Sequence, residues 1–226
     1  PASSRRSGRC SDPDMRVLLA TRSADKAREI REILATVPGM ALITLTDLGL
    51  GPDPAEEELE VFETFQENAA AKARHFARLT SLPVLADDSG LRVDALGGAP
   101  GVRTKRFSGR AELSGRDLDA ANNAFLLERL QGVPPEARGA RYVCAAVLAF
   151  PDGRIIVGLG SCRGEIASAP RGTGGFGYDP LFYVPALGRT FAEIPAAEKN
   201  RISHRSRAFR ALAAQRSGWS GAGTPV

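Results

Sequence analysis

Apolar residues recur along this chain with two periods. Val17–Ala20 is a short apolar run, and the polar turn Thr21-Arg22-Ser23 follows it. Ile30, Ile33, Leu34 and Val37 fall at i, i+3, i+4 and i+7, the spacing of one helix face, and Pro38-Gly39 closes that helix. Ala41–Leu45 predicts a second strand, and the acidic stretch around Pro52 and Pro54 a connection. Phe65, Ala69, Ala73, Phe76 and Leu79 mark one face of a longer helix that Pro83 ends. Val84-Leu85-Ala86 predicts a buried strand that runs straight into Asp87-Asp88-Ser89-Gly90. Gly97–Gly101 reads as a loop and Leu118–Leu130 as a helix. Arg141–Phe150 and Arg154–Gly160 flank Pro151-Asp152-Gly153, a hairpin signal. Gly172–Asp179 is a second glycine-rich loop, and Ser203 is placed to cap a last helix carrying Phe209 and Leu212. Strands and helices interleave, so the class is α/β with a mixed sheet, and residues 105–185 are the candidate second lobe.

The 226 residues, 43% of them hydrophobic, suffice for a sizeable core. The longest apolar run, Tyr142–Phe150, is far too short to cross a bilayer, so no membrane partner is expected. Residues 1–14 have no apolar centre and read as a disordered extension ahead of Met15. The domain is expected over 15–216, with Ser217–Val226 as a flexible tail. Cys10, Cys144 and Cys162 are too few and too scattered for a disulfide framework or zinc site, which suits a reducing cytoplasm. Cys144 lies in a strand-like run and reads as a core residue. The net charge of +4 is unevenly spread: Asp53–Glu67 holds seven acids and no base, Lys199–Arg216 six bases and no acid. A basic segment binds nucleic acid or a small molecule's phosphates, or is simply a solvated face. No nucleic-acid motif accompanies it, and no nucleic-acid partner is expected.

Four segments carry candidate chemistry. Thr21-Arg22-Ser23-Ala24-Asp25-Lys26 joins a strand to a helix start, whose free N–H groups suit phosphate. It lacks the glycines of a Walker loop, and an N-cap is the plainer role for Ser23. Asp87-Asp88 follows a buried strand, where two carboxylates are costly unless they bind a cation or strong donors. Mg²⁺ takes one or two carboxylates plus waters and phosphate oxygens. In Gly172–Asp179, Phe176 offers a stacking face and Asp179 an acceptor for a base-edge N–H. Glu198–Arg205 clusters donors around a helix start. With only His75 and His204 in the chain and no nucleophile elbow, a serine hydrolase triad is not expected.

Together these segments resemble the non-canonical purine nucleoside triphosphate pyrophosphatases, also called inosine/xanthosine triphosphate pyrophosphatases. The resemblance spans Arg16–Arg216. It rests on Glu67-Asn68-Ala69 with Lys72, Ala86-Asp87-Asp88-Ser89-Gly90-Leu91, Ala95–Val102, Phe176-Gly177-Tyr178-Asp179-Pro180 and Glu198-Lys199-Asn200 leading to Ile202-Ser203-His204-Arg205. It implies an elongated mixed sheet with flanking helices, two lobes with a substrate cleft between them, and a homodimer. It also implies Mg²⁺ as cofactor and attack of a metal-activated water on ITP, dITP or XTP, which yields the monophosphate and pyrophosphate and so cleanses the nucleotide pool. By motif, Asp88 is the general base and a metal ligand, Glu60 a second metal ligand, and Ser89 a substrate contact. Thr21, Arg22, Ser23, Ala24, Asp25, Lys26 and Lys72 hold phosphates, and Phe176, Gly177, Tyr178, Asp179, Lys199, His204 and Arg205 surround the base. The chain departs from the pattern at Arg22 and Ser23, where the family usually has Gly and Asn. It departs again at Glu60–Thr64, which leaves Glu58 and Glu63 as alternatives to Glu60.

Overall fold

The computed structural model describes residues 15–219, so the expectations for 1–14, Cys10 and 220–226 lie outside the described residues. Seven strands form one sheet: β1 (Met15–Leu19), β2 (Met40–Thr44), β3 (Val84–Val93), β4 (Gly139–Ala149), β5 (Ile155–Ile166), β6 (Phe182–Val184) and β7 (Arg189–Thr190), ordered β2-β1-β3-β4-β5-β6-β7. β1 runs parallel to β2 and β3, and every later pairing is antiparallel, so the sheet is mixed as its sequence predicts. The helices are α1 (Ala24–Leu34), α2 (Phe65–Thr80), α3 (Gly115–Arg129), α4 (Ala196–Ile202) and α5 (His204–Ala213).

Helices cover both faces of the sheet. Ile30, Ile33 and Leu34 of α1 and Phe209 and Leu212 of α5 pack with Leu19, Leu85 and Leu148. Ala69, Ala73 and Phe76 of α2 pack on the opposite face with Leu18, Val84 and Ala86. A third cluster, with Leu91, Leu126, Tyr142, Phe182 and Phe191, fills the far end. Burying such side chains contributes about 1.5–3 kcal/mol each.

Three expectations need correction. Asp87-Asp88-Ser89-Gly90 is not a turn after a strand: it lies inside β3, paired with Ala146, Ala145, Cys144 and Val143 of β4. The apolar β4 supplies partners along the whole of β3, which is why the strand does not stop at the carboxylates. Leu79 is 58% exposed, because the buried stripe of α2 is centred on Ala69, Ala73 and Ala77. The tail is folded as far as it is described: a short 3-10 turn at Arg216–Gly218 delivers Trp219 into the α1/α5 core.

This topology creates the site. β1 pairs with β3 only through Leu18↔Val84 and Leu19↔Leu85. Beyond Leu85 that edge of β3 pairs with no further strand among the described residues: Ala20, at the start of the β1–α1 turn, donates to the Leu85 carbonyl at 2.8 Å, and farther along Thr104 accepts the Leu91 N–H and Arg92 bridges to Pro100. Successive side chains of a strand alternate faces. Asp87 therefore joins Leu85 on the α1/α5 face, and Asp88 joins Ala86 on the α2 face.

Candidate active site

Asp88 is buried, and both its oxygens are held. Oδ1 accepts from the Ser89 N–H at 2.8 Å and Oδ2 from Asn68 Nδ2 at 3.0 Å. Burial, joined by the negative charge of Glu60, pushes its carboxyl above the usual aspartate range. Glu60 closes an ion pair with Lys72, whose ammonium also donates to the Asp87 carbonyl at 3.3 Å. Asp87 behaves in the opposite way. Burial would raise it too, but Lys26, Arg205 and Lys72 hold it well below the carboxylate range. Lys26 Nζ lies 3.3 Å from Asp87 Oδ2.

The turn above β3 follows the plainer reading. Ser23 caps α1, its hydroxyl accepting from the Lys26 N–H at 3.3 Å, and Thr21 Oγ1 accepts from the Ser23 N–H at 3.2 Å. Arg22, expected at the phosphates, instead donates to Glu56 and to the carbonyls of Leu50 and Gly51, and so braces the turn against the acidic connection. Asp25 pairs with Arg28. Ala24 lies exposed in the first turn of α1.

The residues expected around the base come together but are largely spoken for. Lys199 Nζ reaches Glu29 Oε1 at 2.7 Å and Asp179 Oδ2 at 2.5 Å. Arg205 donates to Glu29 at 2.5 Å, to Ser89 Oγ at 2.9 Å and to Asp87 at 3.3 Å. Asp179 is a buried partner of Lys199, and the same oxygen, Oδ2, also accepts the Phe176 N–H at 2.9 Å. Tyr178 is buried, with its hydroxyl donating to the Thr104 carbonyl at 2.8 Å. His204 is buried and stacked on Tyr142 at 4.5 Å, and burial drives its imidazole well below the ordinary histidine range, hence neutral. Phe176 is half-exposed, its ring 4.8 Å from Lys199 Nζ and 5.5 Å from Arg205 Cζ. The two halves expected separately thus meet on Asp87, which both Lys26 and Arg205 touch. Cys144 sits beside it, but burial pushes its thiol far up, and it fills core as expected.

Residues 17–215 match the Ham1 family. This chain belongs to the Ham1 family. It is 52% identical over 198 residues to a dITP/XTP pyrophosphatase of Thermus thermophilus, a match covering 88% of this chain and 90% of that one. It is 48% identical over 206 residues to a dITP/XTP pyrophosphatase of Geobacter sulfurreducens, covering 91% and 98%. The structure of a HAM1 protein from Coxiella burnetii superposes with a TM-score of 0.77 at 37% identity, over 90% of this chain and 99% of that one. The crystal structure of a nucleoside-triphosphatase, dITP/XTP pyrophosphatase, from Mycobacterium abscessus gives a TM-score of 0.66 at 42% identity, over 88% and 97%.

In this Ham1 chain, no cluster of three His, Cys, Asp or Glu able to cage a metal occurs among the described residues. The donors present fit a cation that takes few carboxylates. Asp88 is raised by burial and by Glu60, and a divalent ion between the two would relieve both costs. Glu58 is exposed and Glu63 lines a hollow shared with Glu60, and of the three it is Glu60 whose negative charge is seen to raise Asp88. Two residues escaped sequence reasoning. Glu29 lies one position before Ile30 and four before Ile33, a lone acid inside the apolar stripe of α1, and that position was its signal. Asn68 clamps the Phe62 peptide, accepting from its N–H at 2.9 Å and donating to its carbonyl at 3.2 Å, as well as donating to Asp88. Its motif was visible, but nothing in the sequence showed what it touches.

Proposed function

We propose that this Ham1 protein hydrolyses inosine- and xanthosine-type purine nucleoside triphosphates, dITP and XTP included, to the monophosphate and pyrophosphate, with Mg²⁺ at Asp88 and Glu60. The similarity to dITP/XTP pyrophosphatases supports the reaction. The observation that carries it is the division of labour between Asp87 and Asp88. One carboxylate is neutralised by three cations, and the next is raised, held at both oxygens and placed on the opposite face of the strand. A raised carboxyl held in place is the form a general base takes.

Phosphoanhydride hydrolysis needs charge neutralisation and an aligned water more than covalent catalysis. Mg²⁺, which Asp88 and Glu60 would hold, would supply Lewis acidity for the phosphate oxygens and for the attacking water. Lys26 and Lys72 bring positive charge to the triphosphate, and the first N–H groups of α1 add their dipole. Asp88 orients the water and takes its proton. Phe176, half-exposed beside Lys199 and Arg205, stacks on the base. A 6-oxo purine accepts from lysine or arginine N–H groups, whereas the 6-amino group of adenine leaves such a donor unpaired, a penalty of about 1–3 kcal/mol per contact. A cytoplasmic homodimer completes this reading. A nucleic-acid role is less well supported, because Lys199 and Arg205 of the basic segment are buried in ion pairs.

The reading is tested by pyrophosphate release from ITP, dITP, XTP, GTP, ATP and dUTP with MgCl₂. It expects kcat/KM for ITP and XTP to exceed that for ATP by at least ~10-fold. A preference for dUTP would replace it with a pyrimidine-directed activity.

A further inference from the structure

Within the loop that carries Phe176, Asp179 holds the Phe176 peptide, its carboxylate accepting the Phe176 N–H at 2.9 Å and its own N–H donating to the Phe176 carbonyl at 3.3 Å. The next residue, Gly177, is held from outside the loop. Gly172, Gly175 and Gly177 all adopt positive φ, and Gly177 has no side chain with which to anchor the peptide next to the ring. The anchor comes from α3. Asp119 Oδ2 accepts the Gly177 N–H at 2.7 Å, and Asn123 Nδ2 donates to the Gly177 carbonyl at 2.9 Å. Residues 119 and 123 are four apart and so share one helix face. Both polar groups of a single glycine are therefore gripped from outside the loop. Burial raises the Asp119 carboxyl, so its grip on the Gly177 N–H is made in a partly dry setting. The same helix fixes a second connection: Asn122 accepts from the Ser108 N–H at 2.9 Å and donates to the Lys105 carbonyl at 3.1 Å. Tyr178, next to Gly177, ties into that connection through Thr104. Gly177 lies between the half-exposed Phe176 and the buried Tyr178-Asp179 pair, so its peptide is the one that joins the ring-bearing residue to the fixed part of the loop.

We propose that Asp119 and Asn123 are positioning residues for base recognition: by fixing the Gly177 peptide they set the plane on which Phe176 receives the purine. The proposal rests on the reading of Phe176 as the stacking face. It makes α3, which donates nothing to the phosphate end of the site, a determinant of affinity for the base alone. Losing either hydrogen bond should weaken every ligand that carries a base and leave ligands without one untouched.

The test uses Asn123→Ala, Asp119→Ala and the conservative Asp119→Asn in the full chain. Each is assayed for ITP turnover and titrated calorimetrically with IMP and with inorganic tripolyphosphate. The alanine variants are expected to raise KM for ITP and Kd for IMP about 10-fold, the loss of one hydrogen bond, with kcat within about twofold. Tripolyphosphate affinity stays at the wild-type value, which also shows that the variants are folded. Asp119→Asn retains an acceptor oxygen and restores most of the affinity for IMP. Equal losses of IMP and tripolyphosphate binding, a fall in kcat at unchanged KM, or an Asp119→Asn variant as weak as Asp119→Ala would overturn the proposal. Failure of the wild-type protein to bind IMP or turn over ITP would instead count against the proposed function.

Discussion

Asp87 and Asp88 are adjacent in sequence, yet their side chains meet different surroundings because a strand turns neighbours to opposite faces. Asp87 is a structural anion on the α1/α5 side. Asp88, the proposed base, is desolvated on the α2 side and held by Asn68 and Ser89. Replacing Asp88 by Asn should cut kcat at least ~10²-fold, because the variant has no group to take the proton. The melting temperature should stay within about 3 °C of wild type, since the desolvation cost removed with the charge offsets a hydrogen bond that the amide cannot reproduce. Steady-state kinetics and a thermal melt check both, and a variant keeping more than a tenth of wild-type kcat would remove Asp88 from the role of base. The residue types at this site were legible in the sequence. Which carboxylate faces which helix was not, because that depends on β3 running on through Asp87-Asp88 and not ending before it.

At the scale of elements, α5 presses directly on β5. Gly158 and Gly160 allow this, because a Cβ on either would collide with α5 backbone: Ala208 O and Leu212 N for Gly158, His204 O and Ala208 N for Gly160. Gly160→Ala should push away the end of α5 that carries His204 and Arg205. The expected loss is about 2–3 kcal/mol of stability by chemical denaturation, together with a fall in kcat/KM. A variant as stable and active as wild type would mean that α5 is free to move off the sheet. The element pattern itself was readable, because helix and strand periods differ and Pro38-Gly39, Pro83 and Pro151-Asp152-Gly153 punctuate them. Trp219 was not readable: a lone aromatic in a Gly/Ser-rich tail has no period, and only the α1/α5 core reveals its place.

Across the whole molecule, one ion network joins parts of the chain as far apart as Glu29 and Arg205. It links α1, β3, α4, α5 and the glycine-rich loop through Glu29, Asp87, Lys199, Arg205 and Asp179. Burial would raise Glu29, but Arg205 and Lys199 hold it below its ordinary value, as Lys26, Arg205 and Lys72 do for Asp87. A carboxyl lowered by folding stabilises the native state above its unfolded value, near pH 4, and that stability is lost as pH falls through the folded value. The melting temperature should therefore drop on acidification below about pH 4. Glu29→Gln should flatten that drop and destabilise the protein at pH 7 by about 3 kcal/mol, because Lys199 and Arg205 then lose their shared partner. A Glu29→Gln variant that tracks wild type at both ends of the pH range would show the network to be idle. The proposed reaction of the whole molecule is hydrolysis of a purine nucleoside triphosphate between its α and β phosphorus atoms. Phosphorus NMR of ITP incubated with the protein and MgCl₂ tests it directly. The account expects resonances of IMP and pyrophosphate in equal amounts from the first turnovers, and orthophosphate with IDP as the first products would contradict it.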